Sequence, residues 1–308
     1  MWKRRCFIGF SILIFVLVGF AFGGVADDAD LVRIGIVADV HAHDTDSPGQ
    51  GRVLVNYAER LSAFVDAMNA WPAQIVIELG NLVNGRFVMG APMGEPDRIG
   101  TILAHAWLIL TAFDGPCYTV IGSHDVYDLT KEEFLTILDV TDTYYSFDVG
   151  AYHLVILDAQ YNKKGEDYGR VVFMKQGNIP EPELAWLKED LANTIKPTIV
   201  CIHQPLDVDF KLTAGGPPVF NHKEVQTILA ESGVVVAVFQ GHTHENSYTE
   251  IDGIHYVTFA ALFDRTEPIP PTWAQVILDP ATRTITIEGE GIQESLILSY
   301  PAETGGRG

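Results

Sequence analysis

Five short segments of this 308-residue chain carry residue types suited to metal chemistry. They are Asp39-Val40-His41, Gly80-Asn81-Leu82-Val83-Asn84, Gly122-Ser123-His124-Asp125, His203, and Gly241-His242-Thr243-His244. In Asp-x-His and His-x-His, alternate residues of an extended segment point the same way, so both can face one ion. Imidazole nitrogen and carboxylate oxygen suit Zn, Mn and Fe. The glycines before Asn81, Ser123 and His242 let the backbone turn sharply and approach an ion. A lone histidine at a strand end is more often a hydrogen-bonded structural residue, and Asp-x-His recurs by chance. The ordered set, each member after an apolar run, is what points to a metal site.

Those apolar runs must be strands. Leu31–Ala38, Gln74–Leu79, Cys117–Ile121, Thr198–Ile202 and Val234–Phe239 are short, apolar and rich in β-branched residues,. Between them, Leu54, Ala58, Leu61, Val65 and Met68 recur at helical spacing, and Pro182–Leu191 reads as a helix with proline early,. Thr130 with Glu133, and Asn221 with Glu224, are spaced as capping boxes opening two more helices,. Tyr144–Phe147 and His153–Leu157 form a hairpin around Val149-Gly150. Two further hairpins turn at Asp252-Gly253 and Asp279-Pro280,. Alternating β and α elements thus give way to hairpins, which suggests two packed sheets with helices outside. Ligands of open α/β sheets bind at the carboxyl ends of the strands, where all five segments fall.

The order Asp-x-His, Gly-Asn-x-x-Asn, Gly-Ser-His-Asp, His, Gly-His-x-His resembles the calcineurin-like metallophosphoesterase family from roughly Arg33 to Arg265. Flanking stretches such as Tyr144-Tyr145-Ser146-Phe147-Asp148 and His203-Gln204-Pro205-Leu206 share the resemblance. The stretch Asn221-His222-Lys223-Glu224-Val225, followed by Gly241-His242-Thr243-His244, is similar to the branch containing manganese-dependent ADP-ribose and CDP-alcohol pyrophosphatases. The resemblance implies a four-layer α/β/β/α sandwich of two mixed sheets flanked by helices, with a dinuclear site. Carried over by position, Asp39, His41 and His244 hold one ion. His203 and His242 belong to the second, position 81 bridges both, and position 123 completes the second. His124 protonates the leaving oxygen, oriented by Asp125.

Two positions depart from the family pattern. Asn81 stands where the family has Asp, and Ser123 where it has Asn. A carboxylate can bridge two cations and cancel one charge; a neutral amide carbonyl is a poor bridge. Asp39 is left as the single anionic ligand, and unbalanced charge in a partly buried site is costly. The expectation is one tightly held divalent ion (Mn, Fe or Zn), with a second weak or absent. The leading reading is a hydrolase of phosphoric esters acting on a small phosphorylated substrate. The rival is a catalytically silent protein of the same fold that binds a phosphorylated or glycan ligand. Intact His124 and Asp125 favour the hydrolase. His43 and Asp44 are read as rim residues or replacement ligands, His222 as a substrate contact or a helix opener, and Trp186 and Leu187 as helix core. No substrate-binding side chain or oligomeric state is specified.

Composition narrows the partners. The net charge is −20, with 40 acidic against 20 basic side chains. Such a surface repels phosphate backbones, which argues against nucleic acid as a general partner. A small phosphorylated substrate stays allowed, because a bound cation dominates the field in a site. Trp2-Lys3-Arg4-Arg5, the uncharged run Cys6–Phe22 and Gly24-Val25-Ala26 read as a signal peptide over 1–26 and an extracytoplasmic mature protein,. Arg4-Arg5-Cys6-Phe7-Ile8 also resembles a twin-arginine signal. The rival is an uncleaved anchor, the chain's one link to a membrane, since the run approaches the ~20 residues that span a bilayer. The expected catalytic domain covers 31–298, with a flexible tail at 299–308. Cys117 and Cys201 sit in apolar runs and read as buried thiols rather than a disulfide,.

Overall fold

The computed structural model describes residues 30–46, 52–85, 96–170, 177–208, 218–265 and 268–302. The signal or anchor segment and residues 303–308 lie outside them. No helix among the described residues is long and apolar enough to cross a membrane.

Down the chain come β1 (Val32–Val37), β2 (Arg52–Val53), α1 (Tyr57–Ala70), β3 (Ile75–Glu78), α2 (Pro96–Leu110) and β4 (Cys117–Thr119). Then follow α3 (Lys131–Leu138), β5 (Tyr145–Val149), β6 (Tyr152–Ile156), α4 (Glu181–Ala192), β7 (Thr198–Ile202) and α5 (His222–Ser232). The chain closes with β8 (Val235–Gln240), β9 (Ser247–Ile251), β10 (Ile254–Thr258), β11 (Asp264–Arg265), β12 (Trp273–Asp279), β13 (Thr284–Glu290) and β14 (Leu296–Ser299).

The first sheet runs β14-β13-β12-β1-β3-β4 and the second β5-β6-β7-β8-β10-β9. Both are mixed. β1 is parallel to β3 and antiparallel to β12, while β10 is parallel to β8 and antiparallel to β9. Strand alternation sorts the side chains. Ile34, Ile36, Ile75 and Ile77 face Leu154, Ile156, Ile199 and Phe239 of the second sheet,. Val37 and Val76 face outward, where Leu61, Phe64, Val65 and Met68 of α1 meet them with Ile102, Leu103 and Ala106 of α2. The spacing 61, 64, 65, 68 places one apolar stripe on α1. Leu184, Leu187 and Leu191 of α4, with Val225 and Leu229 of α5, cover the other sheet against Val155, Val200 and Val238. These are the four layers α/β/β/α. Truncating a side chain such as Phe64 to alanine would cost about 3–5 kcal/mol.

Thr130 and Glu133 form the anticipated box: Glu133 N donates to Thr130 Oγ1 at 3.1 Å and Thr130 N to Glu133 Oε2 at 2.8 Å. The second box does not form. Asn221 makes no side-chain cap; its amide accepts from Ile179 N at 3.0 Å and donates to Ile179 O at 2.9 Å, pinning the start of α5 to the segment before α4. Helix α2, whose pattern was not read from the sequence, supplies Ile99, Ile102, Leu103, Ala106 and Leu110 to the core. The domain extends two residues past 298. Ser299 ends β14, and Tyr300 is buried with its hydroxyl 2.6 Å from Tyr152 Oη. Both thiols are free; Cys201 is buried and Cys117 half-buried.

Candidate metal centre

Strand β1 delivers Asp39 and His41, β3 Asn81, β4 Ser123 and His124, β7 His203, and β8 His242 and His244. The two sheets therefore meet at one edge, and every expected site residue lies there. The local backbone is not the extended chain that the Asp-x-His spacing suggests. Asp39 (φ 52°), His41 (49°), Asn81 (62°), His242 (71°) and His244 (65°) all adopt left-handed conformations. Such non-glycine residues cost roughly 1–3 kcal/mol each and gather at functional sites. Packing explains two glycines between them. A Cβ on Gly122 would lie 2.2 Å from Asn81 N, and one on Gly241 would lie 2.8 Å from Asp39 Oδ2.

The site contains two clusters. In the first, Asp39 Oδ1 lies 3.4 Å from both His41 Nε2 and His244 Nε2, and those nitrogens are 3.2 Å apart. These donors lie within 4.8 Å of one another, and all three residues are buried. His41 Nδ1 donates to Asn84 Oδ1 at 2.8 Å, so a neutral ring presents the Nε2 lone pair inward,. Burial pushes His41 down to about 3 and holds it neutral. Burial alone would raise Asp39, but the pull of His244, then His41, leaves it well below the usual carboxylate range. A carboxylate oxygen and two imidazole Nε2 atoms gathered at one point fit a divalent cation.

The second cluster is thinner. His203 Nδ1 donates to Leu79 O at 2.8 Å, leaving Nε2 as a lone pair 3.2 Å from His242 Nδ1. Burial pushes both rings toward the neutral form. His242 Nε2 is buried without a partner. His242 and His244 thus face different clusters, not one ion. Among the described residues no carboxylate joins the second pair in a metal-ligand cluster, and the Ser123 hydroxyl is hydrogen-bonded to Tyr127.

Asn81 sits between the clusters with its amide orientation set by its neighbours. The His124 backbone N–H, an obligate donor, gives to Asn81 Oδ1 at 2.8 Å,. Nδ2 therefore points the other way, donating to Asp39 Oδ1 at 3.0 Å and lying 3.4 Å from His41 Nε2. The bridging position offers the first cluster protons, not lone pairs.

His124 is half-buried, its ring 4.5 Å from that of His41 and 4.6 Å from that of Tyr127. Its Nδ1 has no hydrogen-bond partner. Asp125 does not orient it, contrary to expectation. Its carboxylate accepts from the backbone N–H groups of Asn81 (3.0 Å), Val83 (3.0 Å) and Gly122 (2.8 Å), tying two strand-end turns together. Burial raises both Asp125 and neighbouring Glu78. Three backbone donors favour the charged form of Asp125, whereas Glu78 Oε1 is unpartnered, so Glu78 is the carboxyl that burial keeps neutral more readily. Asp44 is exposed and pairs with Arg98, which places it at the rim, whereas His43 is buried with its Nδ1 beside Thr45. His222 opens α5, its Nδ1 2.9 Å from Val219 O. Leu187 is core and Trp186 packs beside it.

A family profile described as calcineurin-like phosphoesterase matches residues 32–246. The chain belongs to that family. As a calcineurin-like phosphoesterase it is a phosphoric ester hydrolase by fold and descent. It is 25% identical over 318 residues to a manganese-dependent ADP-ribose/CDP-alcohol diphosphatase of Arabidopsis thaliana, covering 88% of this chain and 98% of the relative. The protein of the same description from Oryza sativa subsp. japonica is 23% identical over 282 residues, covering 76% and 84%. The crystal structure of a dimetal phosphatase from Danio rerio superposes with a TM-score of 0.72 at 18% identity, covering 88% and 99%.

Three neighbours of the site were not anticipated. Asn84 anchors His41. Phe263 meets the rings of His41 and His244 edge-on at 5.3 and 4.8 Å. Arg52 lies over Phe263, its guanidinium carbon 5.3 Å from the centroid. Asn84 stood inside a recognisable motif; Phe263 and Arg52 carried no local signal.

Proposed function

We propose that this protein hydrolyses the diphosphate bond of a small nucleotide-like substrate, using one tightly held manganese-type ion at Asp39, His41 and His244. The observation that carries the reading is the convergence of those three ligand atoms within 4.8 Å of one another. The similarity to two manganese-dependent diphosphatases over most of the chain supports the substrate class and the metal. A bound divalent cation lowers the pKa of a coordinated water toward about 7 and neutralises phosphoryl charge. The chain's own residues do the rest. Asn84 and Leu79 O fix the tautomers of His41 and His203. Asp125 holds the turns bearing Asn81 and His124 in register. His124 gives its proton to the leaving oxygen. Burial disfavours that proton, and a phosphate anion beside the ring would favour it.

The test is a leaving-group series. His124→Ala should lower turnover about 10²–10⁴-fold for esters with poor leaving groups. Esters with good leaving groups need no proton and should suffer less. Equal loss in both classes would remove the general-acid role. One observation favours the silent-binder alternative: Asn81 turns its NH₂ toward Asp39, where a bridging carboxylate is expected. Absence of turnover in manganese-loaded protein across monoesters, diesters and diphosphates would decide for it.

A further inference from the structure

We propose that Arg60 is a positioning residue for the metal centre: from helix α1 it sets the segment that seats Phe263 against both ligand histidines of the first cluster. The inference rests on the metal reading above and concerns how its ligands are held.

Arg60 is buried on α1, a helix held rigidly by its apolar stripe Leu61, Phe64, Val65 and Met68. Its guanidinium closes on main chain. Nε donates to Leu262 O at 2.7 Å, Nη1 to Ile269 O at 2.9 Å and Nη2 to Pro270 O at 2.8 Å. One planar fork thus gathers both ends of the 262–270 segment. A guanidinium carries its N–H donors in a fixed fork, whereas a lysine ammonium has three on a single nitrogen. Lysine therefore cannot span the same three carbonyls. A buried carbonyl that loses its donor keeps the cost of its desolvation, so the segment shifts when the fork is removed.

Leu262 is fixed from both sides. Its N–H donates to Ala38 O at 2.8 Å, beside the ligand Asp39, and its C=O takes the Arg60 Nε proton. That carbonyl belongs to the planar peptide group leading into Phe263, so fixing it fixes where the Phe263 side chain starts. Phe263 is buried and stands edge-on to His41 (centroids 5.3 Å apart, planes at 90°) and to His244 (4.8 Å, 89°). Aromatic rings favour that arrangement. His41 and His244 come from turns far apart in sequence, and this one ring touches both. The path runs from the guanidinium through the Leu262 carbonyl and the Phe263 ring to two imidazoles whose Nε2 atoms are 3.2 Å apart. Groups that orient ligands in this way tune how firmly a site holds its ion.

The experiment measures manganese affinity and Tm for the natural protein, Arg60→Gln, Arg60→Lys, Phe263→Leu and Met68→Ala. Arg60→Gln should weaken manganese about 10- to 100-fold, and Arg60→Lys should weaken it less. Met68→Ala, a core change on the same helix, should lower Tm and leave manganese affinity in place. If Arg60→Gln likewise lowers only Tm, the role is one of stability alone and the proposal is overturned. Phe263→Leu should weaken manganese comparably, and Arg60→Gln added to it should cost little more, because both act along one path. Losses that multiply would sink the path through Phe263. If Arg60→Gln does not fold, Arg60→Lys takes its place in each comparison. If the natural protein holds no manganese, the metal reading fails and the path is read without the ion. The imidazole NMR signals of His41 and His244 in metal-free protein should then shift in Arg60→Gln and stay in Met68→Ala. Signals that respond alike in the two variants would overturn the proposal.

Discussion

The two halves of the metal centre share a backbone plan and differ in charge. Asp39, His41 and His244 bring an anion and two imidazoles to one point. His203 and His242 bring two imidazoles 3.2 Å apart with no carboxylate of their own among the described residues, while Ser123 pairs with Tyr127. Both halves are buried, and burial holds His41, His203 and His242 neutral, so burial does not separate them. The single carboxylate does. The difference leads us to expect that nitrogen donors select where an ion sits, whereas an anionic ligand decides how firmly it stays.

The contrast is broken most severely at Asp39. Asp39→Asn should remove the tightly held ion, weakening manganese more than about 100-fold, beyond what changes around the ligands cause; metal analysis after gel filtration reads this. A variant that still copurifies with one ion would show that the histidines suffice. Asn81→Asp should level the two halves. Without metal it loses the amide donor and sets a carboxylate against Asp39, costing about 1–3 kcal/mol and lowering Tm. With manganese it should bind two ions per chain and exceed the natural protein in Tm. A lower Tm under both conditions would count against a vacant bridging role. His203→Ala should leave the single ion in place and change metal content least; coincident loss would mean that the tight ion lies in the second cluster.

A gentler test lies beneath the site. Burial, then repulsion from Asp125, raises Glu78 well above its ordinary 4.5, so the folded protein keeps a proton that the unfolded chain releases. Stability from that neutral carboxyl is complete below about pH 4.5 and is lost as pH rises toward the folded value. Glu78→Gln stays neutral throughout. It should match the natural protein at pH 4 and surpass it at pH 8 in urea denaturation. The opposite trend would show that Glu78 is charged in the folded protein.

Much of this was legible from residue order alone. The strands, the α1 stripe and the ligand set follow from β-branched runs, a 3.6-residue period and motif order, which are local signals. What escaped was non-local. Asn221 prefers Ile179, forty-two positions away, over its own helix. Asp125 prefers three backbone amides over the ring beside it. Arg52 and Phe263 meet the histidines only because β2 and β11 pair across the fold. Helix α2 follows residues 86–95, which lie outside the described set, and its apolar face was overlooked.

The left-handed backbone at Asp39, His41, Asn81, His242 and His244 has a dynamic consequence. Each of these turns relaxes if released, so the ion acts as a clasp on several turns at once. Chelation should therefore accelerate amide hydrogen exchange together in the segments around residues 39–41, 81–84 and 241–244, while the sheet interior keeps its protection. Metal supply would then set the lifetime of the folded rim as well as its occupancy.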